Sequence, residues 1–153
     1  MTEHAPLDLK EYVTAMIGGQ LFGLPILRVQ DVFVPERLTR VPLAPPEVAG
    51  VLNLRGRIVT LIDMRSLLGL ERRQGREQPM AIGVERAGES YGLLVDSVGE
   101  VLKLGDAARE PNPVNLDPRL SRVSAGIHRL DDQLLMVVDV DRVLDSGANA
   151  KAA

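Results

Sequence analysis

Ala49-Gly50-Val51-Leu52-Asn53-Leu54-Arg55-Gly56-Arg57-Ile58-Val59-Thr60-Leu61-Ile62-Asp63-Met64-Arg65-Ser66-Leu67-Leu68 reads as a strand, a tight turn, a nearly continuous apolar strand, then an aspartate opening a short helix. The same grammar returns 76 residues later. Ala125-Gly126-Ile127, Leu130, Leu134, Asp139 and Leu144 match Ala49-Gly50-Val51, Leu54, Ile58, Asp63 and Leu68 without a gap. A second pair of blocks aligns at an offset of 69: Phe22-Gly23-Leu24 with Tyr91-Gly92-Leu93, Val29 with Val98, and Asp31-Val32 with Glu100-Val101. The offsets differ by seven, which puts a net insertion in the second unit, and Gly105 to Arg122, rich in Pro, Asp and Asn, is the place for it.

Two similar units follow, one over about residues 11–75 and one over about 78–145, joined by a charged loop from Glu71 to Gln78. Residues 1–10 and 148–153 read as flexible tails. Glu11 to Ile17 ends at Gly18-Gly19, a hairpin turn where positive φ costs little, and Ala81 to Arg86 ends similarly at Ala87-Gly88-Glu89. Arg57 to Ile62 and Gln133 to Val138 are the apolar runs of strands buried on both faces. Asp63 and Asp139 are placed to cap the short helices that follow, and Gly69 to stop the first. Short strands joined by Gly and Pro turns, repeated twice, predict an all-β fold of two small barrels packed together, rather than a sandwich. A unit of about seventy residues has a marginal core, so the two should share an apolar interface, and strand exchange between them stays open.

Composition sets outer limits. The chain has 153 residues, 45% apolar and 25% charged, with 3% aromatic and no Trp, so its core must be built from Val, Leu and Ile. A net charge of −3 argues against nucleic acid as a partner; the densest basic cluster, Arg72-Arg73 with Arg76, is flanked by Glu71 and Glu77. The absence of Cys excludes a disulfide framework and a thiolate metal site, and suits a reducing cytoplasm. Met1 to Lys10 lacks the basic and apolar regions of a signal peptide, and the longest apolar runs, about five to seven residues, are far below the roughly twenty that span a bilayer. The expectation is a soluble cytoplasmic protein with no direct membrane insertion.

The chemistry of catalysis is sparse. His4 and His128 are the two histidines, too few for a zinc set, and no nucleophile elbow, phosphate loop or dinucleotide fingerprint is present. No cofactor and no metal are expected. Asp31 and Glu100 lie in edge-like strands, where a solvated face and a binding role stand as equal readings. The enzyme alternative is a small β-barrel enzyme using His128 and a neighbouring carboxylate. Arg55 is the residue of most interest: it sits at the tip of a hairpin whose counterpart in the second unit reads Asp131-Asp132, so the repeat kept the scaffold and changed the charge. A guanidinium there is a planar fork suited to a partner's carboxylates or carbonyls.

Several ordered blocks resemble the CheW-domain family: Thr39-Arg40-Val41-Pro42, Ala44-Pro45, Gly50 to Val59, Leu61-Ile62-Asp63-Met64-Arg65, with Phe22-Gly23-Leu24 and Val29-Gln30-Asp31-Val32 upstream and Gly92 to Val98 and Met136 to Val140 downstream. The resemblance covers about residues 11 to 145. It implies two SH3-like five-stranded barrels and a non-catalytic adaptor that couples the cytoplasmic tips of chemoreceptors to the regulatory domain of a chemosensory histidine kinase, recruited to membrane-associated receptor arrays. Carried over residue by residue, it implies a receptor-binding set of Val29, Asp31, Gly50, Arg55 and Val98, and a kinase-binding set of Arg40, Val41, Pro42 and Leu43. Asp31 stands where the family usually has Glu, Thr60 where Pro is frequent and Met64 where Leu is frequent.

Overall fold

The computed structural model describes residues 8–71 and 78–152; the basic cluster at Arg72, Arg73 and Arg76, most of the junction loop, and His4 lie outside the described residues. The strands are β1 (Leu9–Ile17), β2 (Gln20–Pro25), β3 (Asp31–Phe33), β4 (Val48–Leu54), β5 (Arg57–Asp63), β6 (Met80–Arg86), β7 (Glu89–Val95), β8 (Ser97–Gly105), β9 (Ser124–Arg129) and β10 (Leu134–Val138). Among the described residues three α-helices follow main strands or fill the insertion: α1 (Met64–Leu67), α2 (Pro118–Val123) and α3 (Val140–Ala152).

They form two five-stranded sheets, ordered β8-β1-β2-β10-β9 and β3-β6-β7-β5-β4. Neither is built from one contiguous half. Each takes a hairpin, β1–β2 or β6–β7, from one repeat and three strands from the other, so the boundaries 11–75 and 78–145 describe the repeat but not the sheets. The reason is connection length. β2 and β8 both run antiparallel to β1, hence parallel to each other. In a barrel made from one repeat, β7 and β8 would hold those same places, and parallel strands of one sheet need a crossover of a dozen or more residues. The link from β7 to β8 is Asp96 alone, and that from β2 to β3 is Ile26–Gln30. Chains that short must pass to the neighbouring sheet.

Each sheet closes on itself through an arm. The N–H and C=O of Thr39 exchange 2.8 Å bonds with Val51, and Glu110 pairs with Ile127 at 2.8 and 2.9 Å. Both arms cross a glycine with positive φ, Gly50 (151°) and Gly126 (130°). A Cβ at Gly50 would lie 2.5 Å from the Thr39 carbonyl oxygen, and one at Gly126 2.7 Å from that of Glu110, so only glycine lets the arms approach.

The largest apolar cluster lies between the sheets, as two small cores sharing an interface require. Phe22, Leu24, Ile127 and Met136 of one sheet meet Ile62, Ile82, Leu93 and Val95 of the other, with Met64, Val143 and Leu144 of the helices. Smaller clusters fill the barrels, around Leu52, Val59 and Leu61 in one and Tyr12, Leu135 and Val137 in the other. Val59–Ile62 and Leu135–Val138 are buried continuously, as the apolar runs predict. Asp63 Oδ1 accepts the Arg65 N–H at 3.0 Å and Asp139 Oδ1 that of Arg142 at 3.1 Å, the two expected caps. The tails are shorter than the sequence suggests: Leu9 and Lys10 belong to β1, and the backbone of α3 continues to Ala152.

Candidate functional site

The β4–β5 hairpin turns through Arg55 (φ 54°) and Gly56 (φ 85°), and Asn53 Oδ1 accepts the Gly56 N–H at 2.9 Å, which fixes the loop. Arg55 therefore projects from the tip of a turn pinned by this bond. Its Nη1 lies 3.6 Å from Asp31 Oδ2 on the edge strand β3, with the arginine side chain 73% exposed and the aspartate 26%. Asp31 pairs with Gly83 of β6, and its carboxylate occupies the space that a Cβ on Gly83 would need. Sequence reasoning missed Gly83; its signal is a Gly inside an otherwise apolar strand, which marks a close approach.

Val29 follows the 3-10 turn Ile26–Arg28 and is half-buried against the inter-sheet cluster. Val98, on β8 of the other sheet, packs on that same cluster. The fold thus brings two repeat-related valines to one shared core, while Asp31 and Arg55 meet directly. Gly50 is buried beneath Leu38 and the Thr39 carbonyl, so what it provides is room for the closing arm.

Arg40, Val41, Pro42 and Leu43 continue that arm away from Thr39. The Ala44 N–H donates to the Val41 carbonyl at 3.2 Å, making a turn with Pro42 and Leu43 at its centre, and Leu43 (φ 64°) is fully exposed. Arg40 and Pro42 are exposed and Val41 half-buried. Leu43 is thus an apolar side chain held entirely in water at the tip of a turn.

His128 lies in β9 and is buried. It is 3% exposed, its Nε2 has no hydrogen-bond partner among the described residues, and its ring stands 5.9 Å from that of Tyr12. Burial holds its imidazole below its ordinary pKa and the Arg109 guanidinium adds to this, against the pull of Asp106 and Glu110. Near Tyr12 the barrel opens into a cleft of about 540 Å³, with Leu9, Ile26, Leu27, Arg109 and Val138 among its lining. Among the described residues no three His, Cys, Asp or Glu side chains converge as a metal site, and no helix is long and apolar enough to cross a membrane.

Comparison with known proteins agrees with this architecture. Residues 11–148 match the CheW-like domain family. The chain is 28% identical to the chemotaxis protein CheW of Klebsiella aerogenes and 26% identical to that of Helicobacter pylori, in each case over 90% of this chain and 82% of the relative. The crystal structure of the scaffolding protein TtCheW from Thermoanaerobacter tengcongensis superposes with a TM-score of 0.75 at 30% identity, covering 84% of this chain and 88% of that one. By its sequence match, its two exchanged five-stranded sheets and its likeness to a solved scaffold, the chain belongs to the CheW-like family of chemotaxis adaptor proteins.

Proposed function

We propose that the chain holds a chemoreceptor's cytoplasmic tip and the regulatory domain of a chemosensory histidine kinase on one scaffold, and performs no catalysis itself. The observation that carries this reading is the Arg55 guanidinium, exposed on a hairpin tip and oriented by Asp31. Asp31, Arg55, Val29 and Val98 form the receptor side, with Gly50 supporting the arm beside it. Arg40, Val41, Pro42 and Leu43 form the kinase side. Tethering raises the effective concentration of each partner near the other, and control of the kinase comes through the coupling of the two contacts. The protein is cytoplasmic in this reading and reaches the membrane only through its receptor.

Titration calorimetry against a receptor cytoplasmic hairpin and a kinase regulatory domain of the same genome tests both contacts. Binding to each is expected, with Leu43→Asp weakening the kinase domain alone and Arg55→Glu the receptor hairpin alone. Binding to neither, with all such pairs tried, overturns the reading. The small-enzyme alternative has no observation in its favour, since His128 is buried against Tyr12 and carries its Nε2 away from solvent.

A further inference from the structure

The two short links between the sheets are each fastened by an ion pair to the start of a helix. In the first, Arg65 grips Asp96 with two parallel bonds, Nε to Oδ1 at 2.8 Å and Nη2 to Oδ2 at 2.7 Å, and both side chains are mostly buried. Asp96 Oδ2 also accepts the Gly18 N–H of the β1–β2 turn at 2.8 Å, and Arg65 Nη1 donates to the Glu71 carbonyl at 2.9 Å. Link, helix α1 and a hairpin of the other sheet are thereby joined at one point.

The second fastening repeats the first with the charges reversed. Asp141, 76 residues after Arg65 and at the same step of α3, accepts from Arg28 Nη2 at 3.0 Å. Arg28 lies in the Ile26–Gln30 link, one position from the counterpart of Asp96. Here too the far hairpin joins in: Arg86, at the end of β6, donates to the Asp141 carbonyl at 3.2 Å and pairs with Asp145 at 2.8 Å. One arrangement recurs at both links although the residues that make it differ, which marks the arrangement itself as the conserved feature of the repeat.

These links carry the receptor side. Val29 is one residue beyond Arg28 and leads into Asp31, and Val98 is two residues beyond Asp96. We infer that Arg65 with Asp96, and Arg28 with Asp141, are positioning residues for receptor recognition: they set where the links run and hence where Val98, Val29 and Asp31 are presented. The inference rests on the receptor side proposed above. The Arg65–Asp96 pair suits this task because a guanidinium and a carboxylate in two parallel bonds fix orientation as well as distance, whereas Arg28 and Asp141 share one bond. Val29, Asp31 and Val98 lie closer along the chain to these pairs than the Arg40–Leu43 arm does, so the kinase contact is expected to feel their loss less.

Calorimetry on the full chain, with a receptor cytoplasmic hairpin and a kinase regulatory domain as titrants, separates the outcomes. Arg65→Asp and Asp96→Arg should each weaken receptor binding by about tenfold, in the range by which residues outside a contact modulate it. Kinase-domain affinity should stay within about twofold, and the exchanged pair Arg65→Asp/Asp96→Arg should recover part of the receptor binding, the bonds to the Gly18 N–H and the Glu71 carbonyl being lost in it. Wild-type receptor affinity in the single variants, equal loss toward both partners, or no recovery in the exchanged pair overturns the inference. Arg28→Asp, on the more exposed pair, carries the same expectation and the same overturning results if Arg65→Asp fails to fold. Arg55→Glu is the control: if it weakens receptor binding while Arg65→Asp does not, the positioning role alone fails; if Arg55→Glu binds normally, the receptor side is misplaced and this inference falls with it.

Discussion

Arg55 reaches Asp31 across two strands that are not hydrogen-bonded neighbours, from the β4–β5 tip to the edge strand β3, at 3.6 Å between Nη1 and Oδ2. The contact is longer than a hydrogen bond and the arginine is largely in water, so its worth to the fold is about 0–1 kcal/mol. What it does is orient a guanidinium toward solvent. Arg55→Ala is therefore expected to change unfolding free energy by less than about 0.5 kcal/mol in urea titration. A loss of several kcal/mol would make Arg55 a structural residue.

Gly83→Ala offers a way to move Asp31 without touching it. The added methyl takes the space of the Asp31 carboxylate, the movable end of a side chain, so the fold can adjust by turning the aspartate aside. Stability should drop by about 1 kcal/mol or less. Receptor-hairpin affinity should fall severalfold in calorimetry, and unchanged affinity would show that the position of Asp31 is irrelevant to that contact.

Gly50→Ala and Gly126→Ala should behave alike and badly, because each forces a Cβ against the carbonyl of a barrel-closing arm at a φ that side chains rarely adopt. Each is expected to cost about 2–4 kcal/mol, from strain and collision together. Gly56→Ala is the contrast. It shares the positive φ but meets nothing within 4 Å, so only the backbone term of about 1 kcal/mol remains. Equal tolerance of alanine at positions 50 and 56 would contradict the closure argument.

His128 gives the fold a pH dependence. Its folded pKa is lowered from 6.5, so above about 6.5 both folded and unfolded chains hold it neutral and stability is unaffected. As pH falls below 6.5 the unfolded chain takes up a proton that the folded chain resists, and stability declines until the lowered folded value is passed. Urea midpoints measured between pH 7.5 and 5 should fall more steeply for the native chain than for His128→Leu. Identical slopes would mean the imidazole is not held neutral.

Much of the fold was legible because period and turn chemistry are local. Gly18-Gly19, Ala87-Gly88 and Arg55-Gly56 announce their hairpins, and Asp63 and Asp139 their caps. The pairing of hairpins with the opposite repeat was left open, since the hydrophobic pattern is the same whichever barrel a strand joins; the short links at Asp96 and Ile26–Gln30 decide it. Arg55 could be singled out from the repeat's change of charge and Asp31 from family resemblance, and the fold brings the two together. Gly83, Asp96 and Arg28 could not, because their importance lies in what the fold brings against them from distant parts of the chain.

An adaptor must hold receptor and kinase at the same time, and a bridging assay measures that. A receptor cytoplasmic hairpin is immobilised, and capture of a kinase regulatory domain is measured with and without the chain by surface plasmon resonance. Capture is expected only when the chain is present, and it should be abolished by Arg55→Glu at the receptor side, where reversal of a buried interface charge costs about 2–5 kcal/mol. Receptor and kinase domain competing for the chain, so that neither bridges to the other, would contradict the adaptor role.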